Sequence, residues 1–393
     1  MNRPPRILHL TRDFAPRCIG GLSRAVTGLV RACHDSGLAR CAVVSFDGWR
    51  PRLDAGGVAE PAIEERRHGA PVLRLDRPSQ LSAIESFARA FGAERIQVHD
   101  ALLWEAGSEL AQSLGATPVY TAHVLQAELQ RLRGLDRETL AGAAEARAFR
   151  EAEEVFAPSR FVERTLLTSA APPRAVVFAS LGVDDCAAAR ASVERREAMS
   201  AGPVATVATP PTLLVAGRFA DVNGTRELCE LLPELLATEP ALRVVIAGGI
   251  PENAKGERRW RRRLAASLDA LPLSEHARVE LCGWLAADAL AERYRAATLL
   301  LAPGWIETFG LSVAEAQLHG VPVITCCGSA GEERVDDGVT GLLCPPRDPA
   351  ALLAAVRRLL AEPALARRLG LAAARKVREE LLWPLVLRGH IQR

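Results

Sequence analysis

Lysine is nearly missing from this chain. Only Lys255 and Lys376 occur among 393 residues, and arginine supplies the rest of the 49 basic side chains. The 47 acidic residues almost cancel them, leaving a formal net charge of +2. That excludes the global positive field that recruits nucleic acid. No apolar run approaches the roughly 18 residues that a bilayer-spanning helix needs, so no transmembrane segment is expected. The opening stretch, Met1 to Phe14, lacks the apolar core and cleavage site of a secretory leader. The nine cysteines are scattered, with no CxxC pair and no Cys/His spacing that suggests zinc. Dispersed thiols in odd number fit a reducing compartment, so the expectation is a cytoplasmic protein with no metal and no cofactor. Scarce lysine beside abundant arginine and alanine reads as the composition bias of a high-GC bacterium rather than as function.

What is present is an ordinary globular composition, 49% hydrophobic and 24% charged. The length points to two domains. Both halves alternate short apolar runs with helical patterns, the signature of two parallel-sheet domains. Ile7-Leu8-His9-Leu10 belongs to the first buried strand. A loop with Gly20-Gly21 follows, then a helical pattern from Leu22 to Ala32; strand, glycine loop and helix is how α/β proteins seat phosphates, although a plain turn has the same sequence. Later strands end in His99-Asp100 and in Ala122-His123, and strand ends of this kind face the ligand crevice. Each histidine is either a site residue or a core residue bonded to backbone. Residues 48–70 read as loop, with Arg66 and Arg67 facing solvent, and residues 124–152 as one long polar helix.

The densest chemistry lies between Ala296 and Thr325. Leu299-Leu300-Leu301, bounded by Pro303 and Gly304, reads as a buried strand ending in a turn. Glu307-Thr308-Phe309-Gly310 follow, then a helix from Leu311 to about Leu318, stopped by Gly320 and Pro322. Helical spacing groups Leu311, Ala314, Glu315 and Leu318, so Glu315 is expected to point inward. A buried carboxylate needs partners. Either a core arginine pairs with it, or it accepts the vicinal hydroxyls of a ribose or hexose. The amides of Phe309, Gly310 and Leu311 lie at the helix start, where unpaired N–H groups favour anions and oxygens.

Glu307 and Glu315, with seven residues between them that include Phe309-Gly310-Leu311, and with Ala316 after, resemble the E-x7-E motif of retaining GT-B glycosyltransferases, and of glycosyltransferase family 4 in particular. The likeness extends over nearly the whole chain. It implies an α/β fold of the GT-B type, two Rossmann-like parallel-sheet domains facing across a cleft, with the nucleotide-sugar donor held mainly by the second. In that scheme Glu315 holds the ribose hydroxyls and Glu307 the donor sugar, while Thr308 and the Phe309, Gly310 and Leu311 amides line the same site. Gly20 and Gly21 approach the donor diphosphate and the acceptor. His123 resembles the family's histidine beside the donor sugar. Trp284 or Leu285 meets the base. Arg218 fits the phosphate-gripping arginine after the first strand of the second domain, and a guanidinium suits that task. The family then places lysine where this chain has Asn223. Arg226, one turn later, is the expected substitute; a weaker donor site, a donor without a diphosphate, or lost catalysis are the alternatives. The likeness also implies retention of configuration without a metal, the departing phosphate taking the acceptor proton. His123, Arg218 and Glu307 are therefore the expected catalytic residues.

The expected domains are 1–190 on the acceptor side, a linker over 191–210, a donor domain over 211–375, and a last helix over 376–393 that crosses back. The donor is expected to be a UDP- or GDP-sugar. The acceptor is a small-molecule, glycan or lipid hydroxyl, with specialised-metabolite biosynthesis as the context, and a homodimer is left open. A phosphorylase-like enzyme would need a lysine for pyridoxal phosphate, and neither Lys255 nor Lys376 has a suitable setting. A non-hydrolysing epimerase would not show the same series of motifs. Asn223 also admits a sugar-nucleotide-binding protein or a partner subunit of another transferase. The basic run Arg258 to Arg263 around Trp260 reads as a solvated helix face rather than a nucleic-acid site.

Overall fold

The computed structural model describes residues 3–18, 20–47, 62–132, 134, 139–201, 210–249 and 255–391. The chain divides into two compact units, residues 1–182 with 383–393, and residues 183–382. Among the described residues no helix is long and apolar enough to cross a membrane.

The first unit carries β1 (Arg6–Thr11), β2 (Arg40–Ser45), β3 (Ile63–Arg67), β4 (Ala70–Arg74), β5 (Arg95–Val98), β6 (Thr117–Thr121), β7 (Glu154–Ala157) and β8 (Val176–Phe178). They form one sheet in the order β3-β4-β2-β1-β5-β6-β7-β8, parallel except for the edge strand β3. Central strands buried on both faces need continuous apolar runs, and β1 and β2 supply them. One face presents Leu8, Leu10, Val44, Ile96, Val98 and Tyr120 to a core that includes Ile84 and Phe87 of the helix Leu81–Phe91. Alternation places His9, Gln97 and Thr121 on the other face, where all three are fully buried. The helix Gly21–Ser36 packs on the turn Trp383–Val386, whose Trp383 is 3% exposed. A Cβ on Gly28 would lie 2.4 Å from the Trp383 ring and one on Gly182 2.5 Å from it, so two glycines make the slot that the indole fills. Arg95 Nη1 donates to the carbonyl of His390 at 3.0 Å, and His390 Nε2–H donates to the carbonyl of Ser180 at 2.9 Å.

The second unit carries β9 (Thr212–Gly217), β10 (Arg243–Gly248), β11 (Val279–Gly283), β12 (Leu299–Ala302), β13 (Val323–Cys326) and β14 (Gly341–Cys344). Its sheet is wholly parallel, in the order β11-β10-β9-β12-β13-β14. Leu213, Val244, Ile246, Leu299, Leu301 and Ile324 face a core closed by Leu228, Leu232 and Leu235 of the helix Thr225–Thr238. Val245, Leu300 and Val323 face Val313 and Ala316 of the helix Leu311–Leu318. Two parallel-sheet α/β units are thus present, as the alternating pattern predicts.

Several boundaries differ from the sequence reading. Residues 191–201 of the expected linker belong to a helix, Ala187–Ala201, within the second unit; residues 202–209 lie outside those described. Arg196 anchors this helix, donating to the carbonyls of His319 at 3.2 Å and Ala297 at 2.7 Å, and Ser192 donates to the His319 carbonyl at 2.8 Å. An alanine-rich segment that looks like a spacer is held by two buried polar side chains. The expected last helix over 376–393 is not continuous either. The helix Pro363–Glu380 ends inside the second unit, and two short turns, Trp383–Val386 and Arg388–Ile391, follow. Pro384 has no N–H to continue a helix. Residues 62–70, expected as loop, contain β3, a charged strand whose pairing with β4 is legible only from its partner. The expected long helix over 124–152 is two, Gln126–Leu132 and Leu140–Glu151.

Candidate active site

In the second unit the predicted residues gather where β9 and β12 end. Gly304 is the hinge of the cluster. A Cβ there would lie 3.3 Å from Glu307 Oε1 and 3.4 Å from Asn223 Cα. Gly224 holds φ at +75°, and a Cβ on it would meet the Pro303 carbonyl at 2.3 Å, so the two loops touch backbone to backbone. Trp305 ties them together: its amide donates to the Val222 carbonyl at 3.0 Å and its indole N–H to the Asp221 carbonyl at 2.9 Å. The Arg347 guanidinium stacks 4.1 Å from the centre of the same indole.

Glu307 is partly buried in this loop. Desolvation pushes its carboxyl up to about 7, while the Arg218 charge and the Gly310 N–H, which donates to it, hold it down. The Gly310 amide, expected to be open for a ligand, is thus engaged by Glu307. Gly310 sits at φ +82° before the helix Leu311–Leu318, a left-handed position that glycine takes without strain. Phe309 is buried under the Arg334 guanidinium, 4.7 Å from the ring centre, so only its backbone can face a ligand. Thr308 is partly buried beside it.

Glu315 does not point inward with the leucines. Val313, Ala314, Ala316, Gln317 and Leu318 are the buried positions, and Glu315 shares the partly exposed stripe with Leu311, one turn earlier. The helix is buried on more sides than an amphipathic reading allows, which leaves the carboxylate the more open face. The Tyr294 hydroxyl donates to Glu315 Oε2 at 3.1 Å.

Arg218 is exposed at the end of β9. Asn223 closes a short 3-10 turn, and its Oδ1 is buried without a hydrogen-bond partner among the described residues. Arg226 lies on the first turn of the helix Thr225–Thr238, where its Nε is 3.6 Å from Asp221 Oδ1. The arginine expected to replace the missing lysine therefore has a carboxylate of its own. Trp284 and Leu285 follow β11, the far edge strand; Trp284 is exposed, and Leu285 packs partly into the core.

In the first unit Gly20, at φ +94°, precedes the helix Gly21–Ser36, whose first turn carries no acidic residue and no side-chain cap. Space around the Gly20 Cα is open, so a group can approach the backbone closely. His123 follows β6 and is 9% exposed. It ends a row that sequence reading only half saw: His99 Nδ1 lies 2.9 Å from His123 Nε2, and His9 Nδ1 lies 3.0 Å from His99 Nε2. The signal was there, since strand alternation puts His9 on the same face as Gln97 and Thr121. Burial pushes His9 and His123 down to about 3 and His99 well below its usual value.

Two parallel-sheet α/β units, the second with paired carboxylates on the loop and helix after one strand, define the class: GT-B glycosyltransferases. The profile described as Glycosyltransferase Family 4 matches residues 19–185, and that described as Glycosyl transferases group 1 matches residues 210–362. The chain belongs to the family-4 type of GT-B glycosyltransferase. It is 28% identical to a glycogen synthase of Mycobacterium tuberculosis over 405 aligned positions, 97% of this chain and 92% of that one. It is 36% identical to a D-inositol 3-phosphate glycosyltransferase of Geodermatophilus obscurus over 156 positions, 38% of this chain and 33% of that one. In fold it is similar to the sucrose-phosphate synthase of Thermosynechococcus elongatus, with a TM-score of 0.77, 22% identity, and coverage of 98% and 96% of the two chains. It is likewise similar to Anabaena HepE solved with UDP-glucose, with a TM-score of 0.72, 17% identity, and coverage of 98% and 97%.

Proposed function

We propose that this glycosyltransferase moves a sugar from a nucleotide-diphosphate sugar to an acceptor hydroxyl, with retention of configuration and without a metal. The observation that carries the reading is Glu307, set beside the Arg218 charge and the Gly310 amide at the start of the helix that bears Glu315. Glu315, on the open stripe, accepts the ribose hydroxyls, with Tyr294 orienting it. Glu307 accepts hydroxyls of the donor sugar. Arg218 and the N-terminal amides of the helix from Leu311 take the diphosphate as charge builds on the leaving oxygen. Gly20 and Gly21 bring bare backbone to the acceptor side, and His123 meets the donor sugar. The departing phosphate takes the acceptor proton on the face it leaves.

The HepE complex with UDP-glucose supports a UDP-sugar as the first donor to test, and a GDP-sugar is the second. The acceptor is a small-molecule, glycan or lipid hydroxyl, in bacterial cytoplasmic biosynthesis. The test is a screen of UDP- and GDP-sugars by thermal shift, followed by turnover and by hydrolysis of any donor that binds. Transfer or hydrolysis that falls sharply but stays measurable in Glu307→Gln supports the reading. Binding with neither reaction in the native chain supports the alternative, a donor-binding partner subunit, which the uncharged Asn223 favours.

A further inference from the structure

Four side chains outside the donor cluster form an unbroken buried line in the first unit. Cys41 Sγ on β2 is 3.4 Å from His9 Nε2, His9 Nδ1 is 3.0 Å from His99 Nε2, and His99 Nδ1 is 2.9 Å from His123 Nε2. The ring centroids are 5.3 and 5.1 Å apart. His9 and His99 are 0% and 2% exposed, so neither meets substrate. We propose that His9 and His99 are positioning residues that, with Cys41, fix which ring nitrogen of His123 carries the proton.

A neutral imidazole has one N–H and one lone pair, and it cannot exchange them by rotating as a hydroxyl can. Each contact here joins an Nδ1 to an Nε2. One member must donate and the other accept, so all three rings share a single tautomer, and any change runs the whole length. Burial keeps the rings neutral, and the nearby Arg95 and His390 add to the cost of a positive charge on His9. The Cys41 end sets the direction. Its thiol keeps its proton, pushed well above its usual value by the neighbouring Cys33 and by burial. That single proton has two neighbours, Cys33, with which Cys41 shares a side-chain hydrogen bond, and His9 Nε2 at 3.4 Å. A ring nitrogen accepts better than sulfur, so the proton goes to His9 Nε2, and Cys33 S–H is left to donate to the Cys41 sulfur. His9 Nδ1–H then donates to His99, and His99 Nδ1–H to His123 Nε2. The proton of His123 is held on Nδ1, which makes that nitrogen a donor of defined direction. This rests on the reading of His123 as a donor-sugar residue only for its catalytic consequence; the linkage itself does not.

The experiment uses the full chain with 15N-labelled histidine. Ring spectra at pH 7 should show His9, His99 and His123 all neutral and all protonated at Nδ1. In His9→Phe, which removes a ring that does not touch His123, the His123 signal should become a tautomer mixture, and turnover should fall about ten-fold, the scale of outer groups that orient a ligand-bearing ring. In His9→Asn, whose amide replaces the Nδ1–H donor, both should recover. Different tautomers among the three rings of the native chain overturn the proposal, and so does a His123 signal unmoved by His9→Phe. If His9→Phe fails to fold, the native spectrum and His9→Asn still decide. Unchanged turnover in His123→Phe would remove the site reading of His123 while leaving the tautomer linkage to stand or fall on its own spectra.

Discussion

Glu307 and Arg218 form the most sensitive pair of the donor cluster. A carboxyl brought to about 7 is half neutral at physiological pH, and only its ionised form accepts two sugar hydroxyls. We expect kcat/KM for the donor to fall as pH drops through about 7, and Glu307→Gln to erase that limb. Because the Arg218 charge holds Glu307 down, Arg218→Ala should move the limb to higher pH. A limb that survives unchanged in Glu307→Gln would belong to another group. Glu315→Gln should weaken nucleotide binding by about 1–3 kcal/mol, the usual scale for a charged hydrogen bond. Titration of the nucleotide measures it, and unchanged affinity in a folded protein would contradict the ribose assignment. These carboxylates were legible because a helix start and an eight-residue offset survive in any sequence. Their environments were not. Inward pointing was inferred from an amphipathic wheel, whereas this helix is buried on most sides and leaves Glu315 the open stripe. The partner Tyr294 lies 21 residues upstream, beyond any local pattern.

Elements were legible wherever apolar runs alternate with helical periods, which covers most of both sheets. The failures share a cause. The helix Ala187–Ala201 has no strong apolar face, and Ser192 and Arg196 hold it by bonds to carbonyls more than a hundred residues away. The strand Ile63–Arg67 is charged because it is an edge, protected by its charges rather than by burial. The turn Trp383–Val386 is too short to show a helical period, yet its indole fills the slot between Gly28 and Gly182. Trp383→Ala should cost about 3–5 kcal/mol, the scale of a buried aromatic removed. Hydrogen exchange resolved by segment would place that loss in the first unit; protection of the helix Gly21–Ser36 unchanged from the native chain would refute it.

Across the molecule, neutral buried histidines give the first unit a dependence on acid. His9 and His123 resist protonation until about 3 and His390 until about 4, with His99 also far down, whereas an unfolded histidine titrates near 6.5. Above that value their contribution is fully present. Below it the unfolded chain binds protons that the folded chain refuses, and stability falls by about 1.4 kcal/mol per pH unit for each group. Glu145, raised to about 8 by burial, works in the opposite sense: its contribution is present below the unfolded carboxyl value and lost as pH rises through 8. Among the described residues of the second unit, His319 is the histidine with a lowered value to set against these four, brought to about 4 by burial and by Arg196 and Arg378. Denaturation at pH 7 and pH 5, followed by exchange in each unit, should show the first losing more; equal losses would refute the assignment.

The order in which the polypeptide is made gives the Trp383 slot a further meaning. Residues 183–382 are a continuous stretch set into the first unit, and Val183 and Leu382 pair where that stretch begins and ends. A ribosome therefore finishes the second unit before it supplies the indole that completes the first. A nascent chain halted at residue 182 lacks the indole that packs against Gly28 and Gly182. Because Gly182 lies against Trp383, a chain with residue 182 joined to 383 by a short bridge would restore the indole to its slot without the intervening residues, and whether that chain folds measures how far the first unit depends on the second.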